Sequence, residues 1–222
     1  MTASSPAGGL RFLDPVVAAD PPRPPTDPAA AEHPMRKVTR QVAFDPDGWT
    51  AERRAKVAEL FDGLAPSWHE HRHDPQRTAP LEDAYARGDI PAGGACLEVG
   101  SGDGQNTAFL AAHHDLVVAA DLSLAMLRHA PVDIGHRVRT DSSASPLRDG
   151  AVDVVVLVNA LLFPREMARV LGDGGALVWV NTAGDRTPIH LSAEEVVDAL
   201  PGDWQGVVAD AGQGTWAVLH RA

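Results

Sequence analysis

The stretch Ala95-Cys96-Leu97-Glu98-Val99-Gly100-Ser101-Gly102-Asp103-Gly104 constrains this chain more than any other. Ala95 to Val99 is a short apolar run, interrupted only by Glu98, and reads as a strand. Gly100, Gly102 and Gly104 follow at every second position, where backbone without Cβ atoms turns sharply and brings bare amides close to a ligand. From Asn106 the pattern becomes helical, with Phe109 and Leu110 apolar and Ala108, Ala111 and Ala112 favouring helix. Strand, glycine turn and helix in that order open a nucleotide-binding βα unit. A glycine-rich turn by itself often only joins two elements, so the acidic residues at the next strand ends sharpen the reading.

Leu116 to Asp121 reads as a second, fully buried parallel strand ending in a carboxylate. At that place an acid can accept both hydroxyls of a ribose, and the competing role for Asp121 is to cap the helix beginning near Ser123. A weaker third strand lies around Arg137 to Thr140. Asp141, just past it, could accept from an exocyclic amine or simply shape a turn. Ala151 to Val158 is the most strongly β sequence of all, and Asn159 ends it on the same edge as Gly102 and Asp121. A helix from Pro164, a Gly-rich turn at residues 172–175 and a fifth strand at Ala176 to Val180 follow. Ser192 and Glu195 form a capping box for a further helix, and strands at 206–209 and 215–220 close as an antiparallel pair. The predicted fold is therefore α/β: a doubly wound, mostly parallel seven-stranded sheet with an antiparallel C-terminal strand pair, its ligand at the carboxyl ends of the strands.

Three segments are predicted: a disordered Pro-rich tail over 1–34, an N-terminal helical cap over 35–90, and the α/β domain over 91–222. The tail carries eight of the 18 prolines and few large apolar residues, so it cannot bury enough surface to offset the entropy of ordering it. In the cap, Thr50 can head a helix to Leu64 whose Val57, Leu60, Phe61 and Leu64 make an apolar stripe. His69, His71 and His73 alternate after Trp68 and invite a metal, but no thiolate or firm scaffold accompanies them; they read as a solvated segment or a lid, and no metal is assigned.

Of the 222 residues, 44% are hydrophobic, enough for a proper core. The balance of 19 Lys and Arg against 30 Asp and Glu leaves a net charge of −11, which repels phosphate backbones and anionic lipid. Neither nucleic acid nor a membrane is expected as a partner. The one cysteine, Cys96, excludes an intrachain disulfide and sits in the first strand as buried filler. No apolar run approaches membrane-spanning length and no secretory core precedes the fold, so a cytoplasmic location is expected.

Residues 95–180 resemble the class I S-adenosylmethionine-dependent methyltransferases, most closely their small single-domain branch. The stretch Glu98 to Gly104 resembles that family's glycine motif. Asp121 matches its ribose-binding acid, Leu122 the apolar residue beside adenine, Asp141-Ser142 the adenine-edge position, and Asn159 the strand end that offers backbone to the methionine part. The segment Phe61 to Trp68 is similar to one whose aromatic residue covers the cofactor. The resemblance implies a Rossmann-like methyltransferase fold and S-adenosylmethionine as cofactor, with S-adenosylhomocysteine as product. It implies a site made of Glu98, Gly100, Ser101, Gly102, Gly104, Asn106, Asp121, Leu122, Asp141, Ser142, Asn159 and Trp68. The expected partner is a small-molecule methyl acceptor. Candidates for a base are His190, Asp185, Arg186, His69 and His71; none stands out, and the catalytic residue is left unassigned. A non-catalytic cofactor-binding or regulatory protein on the same fold is the alternative. A nicotinamide-dependent oxidoreductase is disfavoured, because Gly-x-Gly-x-Gly lacks the spacing that seats a pyrophosphate on the helix N-terminus.

Overall fold

Val152 to Val158 is almost wholly β-branched, and Val154, Val155, Val156 and Leu157 are inaccessible to solvent. A central parallel strand is covered on both faces, which is why it reads as a continuous apolar run. The computed structural model describes residues 9–25, 30, 32–68 and 75–222. Its strands are β1 (Leu10–Leu13), β2 (Ala95–Val99), β3 (Leu116–Asp121), β4 (His136–Arg139), β5 (Val152–Val158), β6 (Leu171–Asn181), β7 (Trp204–Ala211) and β8 (Gly214–Arg221). They form one sheet in the order β1-β7-β8-β6-β5-β2-β3-β4. Every neighbouring pair is parallel except those made by β8, which runs antiparallel to both β6 and β7.

The helices are α1 (Pro34–Phe44), α2 (Ala51–Leu64), α3 (Ala79–Arg87), α4 (Thr107–Ala111), α5 (Leu124–His129), α6 (Pro164–Val170) and α7 (Ala193–Ala199). Strand alternation sorts them into layers. Leu97, Val99, Val155 and Leu157 face α6 and α7, whereas Cys96, Val154 and Val156 pack with Leu110 of α4 and with Leu81 and Ala84 of α3. Three helices start on side-chain caps, two of them, at Thr50 and Ser192, as predicted. Thr50 accepts from the Arg53 amide, Ser123 from the Met126 amide, and Ser192 with Glu195 forms the reciprocal capping box.

The structure adds to the sequence reading at three places. The sheet has eight strands, and the added one, β1, lies inside the tail expected to be disordered over 1–34. It pairs in parallel with the edge of β7 from Leu10↔Gly206 to Leu13↔Ala209, and Leu10 is buried in the core. Arg23 then ties the following Pro-rich stretch to the β7–β8 turn, donating to the Gly212 carbonyl at 2.8 Å and pairing with Asp210 at 3.1 Å. Backbone pairing and polar side chains, Arg23 together with Arg87, Gln76 and Gln213 donating to carbonyls of the segment, supply the order, and none of this shows in hydropathy. The second is α3, expected within the cap, whose Leu81 and Ala84 pack in the layer covering the sheet. The third is β6, which begins at Leu171 through a register shift against β5 and so includes the predicted glycine turn.

The Trp216 indole, buried on β8, donates to Asp83 of α3 at 2.7 Å, and Arg87 donates to the other oxygen at 2.8 Å. Replacing Asp83 with Ala leaves the buried indole N–H without an acceptor, a loss of about 2 kcal/mol. Denaturant unfolding of Asp83→Ala is expected to show that loss, and Trp216→Phe with Asp83→Ala together should cost less than the sum of the single changes.

Candidate cofactor site

The strand order reverses at β2: β3 and β4 lie to one side, β5 and β6 to the other. In such sheets the crevice outside the carboxyl ends at the reversal is where ligands sit. Here that crevice is a cavity of about 670 Å3, within the range of small-molecule sites. Its floor is the five loops leaving β2 to β6, and its roof comes from α1, α2 and the turn at Ala65–Ser67 that follows.

Gly100, Gly102 and Gly104 have φ of +67°, +57° and +81°, in the left-handed region where a side chain is strained. The turn is pinned from two sides. The amides of Gly100 and Ser101 donate to the Ala120 carbonyl at 2.8 and 3.0 Å, and the Gly102 amide donates to Asp121 Oδ2 at 2.8 Å. The other oxygen of Asp121 accepts from the Ser123 amide at 2.7 Å. Burial pushes the Asp121 carboxyl above its ordinary value, against the pull of these amides. Asp121 thus fills the capping role considered for it and also borders the cavity.

Ten of the twelve expected site residues line the cavity: Gly100, Ser101, Gly102, Asn106, Asp121, Leu122, Asp141, Ser142, Asn159 and Trp68. Two do not. Glu98 points to the Cys96 face of β2, beneath α4, because side chains alternate along a strand. There it is 2% exposed and accepts from Thr107 Oγ1 at 2.6 Å, while its other oxygen has no partner. Burial, with Asp121 and Asp103 nearby, pushes its pKa up to about 8 against the Thr107 hydrogen bond. Gly104 sits where an added Cβ would lie 3.1 Å from Pro131 and 3.2 Å from Ala130, so it allows the turn to approach the end of α5 rather than a ligand.

Asn159 takes φ +51° and fastens β5 to β6: its Nδ2 donates to Thr182 Oγ1 at 2.8 Å and its Oδ1 accepts from the Thr182 amide at 2.9 Å. Trp68 packs edge-on against Phe61, centroids 5.7 Å apart, and its Nε1 lies 3.7 Å from where a Cβ on Gly102 would stand. Asp141 reaches the cavity with its acceptor positions already engaged. Trp49 Nε1 lies 3.0 and 3.1 Å from its two oxygens, Arg54 donates to Oδ2 at 3.0 Å and the Ser143 amide to Oδ1 at 2.9 Å. Burial alone would raise this carboxyl, but those hydrogen bonds outweigh it and hold it below its ordinary value.

Among the described residues, none of the base candidates lines the cavity. His190 Nδ1 accepts from Arg36 at 2.9 Å, and burial, reinforced by that guanidinium, lowers its pKa to about 4. Arg186 donates to Gln213 at 2.8 Å, and neither it nor Asp185 lines the cavity. His69, His71 and His73 lie outside the described residues. Cys96 is buried, its thiol pushed up by desolvation, as expected of filler. Sequence reasoning missed His33, Met35 and Trp49, which line the cavity from the N-terminal cap. The apolar spacing of α1 was the available signal, but nothing local showed which face would meet the sheet.

Residues 97–179 match the sequence family described as a methyltransferase domain. No curated protein matches the chain by sequence. Among solved structures, an S-adenosylmethionine-dependent methyltransferase from Aquifex aeolicus is 20% identical, with a TM-score of 0.56 over 69% of this chain and 97% of its own. The [4+2]-cyclase SpnF is likewise 20% identical, with a TM-score of 0.53 over 68% of this chain and 75% of its own. The chain spans 59% of the matched chain in the complex of the Haloferax volcanii Trm112 methyltransferase activator with a methyltransferase. That match has a TM-score of 0.48 and 22% identity over 54% of this chain. The matched segment runs from β2 into β6, the part of the sheet that carries the glycine turn and Asp121, and the Aquifex aeolicus and SpnF structures share this fold.

Glu98 supplies a test of the buried arrangement. Its folded pKa near 8 stands above the ordinary 4.5, so the native state keeps a proton that the unfolded chain releases. The stabilisation is full below the unfolded value and is lost as pH rises through the folded one. Between about pH 5 and 8.5 the melting temperature of the wild type is expected to fall more steeply than that of Glu98→Gln. Parallel melting curves in thermal scans would show that Glu98 is ionised in the fold.

Proposed function

We propose that the chain transfers a methyl group from S-adenosylmethionine to a small, largely apolar acceptor. The observation that carries the reading is the arrangement at the carboxyl edge. A glycine cradle, a carboxylate at the end of β3 and the buried, unpartnered hydroxyl of Ser101 all border one cavity. An unpaired polar atom at 6% residue exposure is costly unless a ligand meets it. These residues fit the cofactor: Asp121 for the ribose hydroxyls, Leu122 beside the base, and the turn at Gly100–Gly102 with the Asn159 backbone for the amino-acid part. When bound, the cofactor supplies a methyl group activated by a sulfonium.

The chain's own contribution is to orient and to exclude water. Met35, Leu161, Phe163 and Ile189 make the wall facing the turn after β6, and three of them belong to the small core shared by the cap and the sheet edge. That wall suits an apolar acceptor, and the net charge of −11 disfavours a nucleic-acid substrate. Holding an acceptor in line in such a dry pocket is worth up to about 7–11 kcal/mol without acid–base chemistry. A second reading, a non-catalytic cofactor-binding protein, is favoured by the failure of His190, Asp185 and Arg186 to reach the cavity.

Calorimetric titration with S-adenosylhomocysteine is expected to show micromolar binding, absent with NADH and weakened at least about tenfold in Asp121→Ala through loss of charged hydrogen bonds. No binding to the wild type would overturn the site assignment. Binding without methyl transfer to any of a panel of apolar hydroxyl, amine and thiol acceptors would favour the second reading.

A further inference from the structure

Asp141 stands where the resemblance places a reader of the adenine amine, but its surroundings assign it other work. A carboxylate offers about four lone-pair positions. Three donors engage both oxygens here: the single Trp49 indole N–H shared between them, Arg54 on one and the Ser143 amide on the other, all between 2.9 and 3.1 Å. The Asp141 side chain is 18% exposed, so a further donor meets a carboxylate already held on each oxygen.

Trp49 and Arg54 both belong to the cap. Trp49 precedes Thr50, the residue that caps α2, and its ring packs edge-on against Phe163 at 5.2 Å. Phe163 heads α6, and Trp49, Phe163 and Asp141 all line the cavity. A second tether lies on the same helix: Asp62 accepts from the Ser123 hydroxyl and, at 3.1 Å, from the Ala125 amide at the start of α5. Helix α2 is therefore fastened at both ends to loops that leave the sheet beside the cavity. One tether runs through Asp141 after β4, the other through Ser123 after β3.

The geometry points to Asp141 as a positioning residue that anchors the cap through Trp49 and Arg54, leaving the exocyclic amine of the cofactor unread by this carboxylate. The inference rests on the cofactor reading above. It differs from the resemblance in what it requires of the ligand: the purine is gripped by shape, between Leu122 and the anchored cap, and its amine is dispensable. Trp49 is the specificity element, since its indole is the wall that closes this end of the cavity.

Two measurements on the full chain test it. The first titrates S-adenosylhomocysteine and its 6-deamino analogue, in which hydrogen replaces the amine, into the wild type, Trp49→Phe and Asp141→Asn. The wild type is expected to bind the two probes within about threefold of each other, as expected for an amine that forms no buried hydrogen bond. Each substitution should weaken both probes alike, and the double variant no more than the worse single one. A preference for the amine above about thirtyfold that vanishes in Asp141→Asn, or tighter binding in Trp49→Phe, would overturn the proposal; the second result would mean that the indole competes with the cofactor. The second measurement is hydrogen exchange across residues 49–64 without ligand. Exchange is expected to accelerate in both single variants, with no further gain in the double. Unchanged exchange would overturn the anchor whether or not S-adenosylhomocysteine binds, and absence of binding with accelerated exchange would locate the failure in the cofactor reading alone.

Discussion

The hydrogen bond from the Gly102 amide to Asp121 joins the two loops on which the site depends. It requires a left-handed residue at 102, so that the amide turns toward β3, and a short acceptor at the very end of that strand. Glycine meets the first need because it has no Cβ to clash, and aspartate the second because its carboxylate also accepts from the start of α5. The rest of the edge is arranged around this contact. The Ala120 carbonyl holds the two preceding amides, and Glu98 and Thr107 sit beneath the turn. The burial that raises both carboxyls is the electrostatic cost of a dry, close-packed turn.

The cap depends on the same edge. The apolar stripe of helix α2 faces the cavity, with Val57 its one buried residue, so polar tethers do much to set its position. Asp62, Trp49 and Arg54 supply them at the sheet side, while Arg36 of α1 donates to the Thr187 carbonyl and to His190 in the loop after β6. Polar tethers of this kind fix orientation more than they add stability, because each exchanges hydrogen bonds with water for hydrogen bonds with protein.

Much of the core was legible because its signals are local. The limits of β2 and β3 follow from apolar runs that end at Gly100 and Asp121, and the starts of α2 and α7 from the oxygen-bearing caps Thr50 and Ser192. Less legible were contacts between residues far apart in sequence. Leu10 to Leu13 looks like part of a proline-rich tail until β7 offers an open edge. Glu98 looks like a ligand-facing acid until strand alternation is referred to the position of α4. Asp141 looks like an adenine acceptor until Trp49, 92 residues earlier, takes its oxygens.

Sequence by itself determined the order of strands and helices from β2 onward, the glycine turn and the acids that can stand at strand ends, because these follow from propensity, periodicity and backbone sterics within a few residues. Tertiary structure alone decided which acids face the cavity, which are buried behind it and which hold the cap. A carboxylate's role depends on the donors that reach it, and donors from distant segments meet it only when the chain is folded.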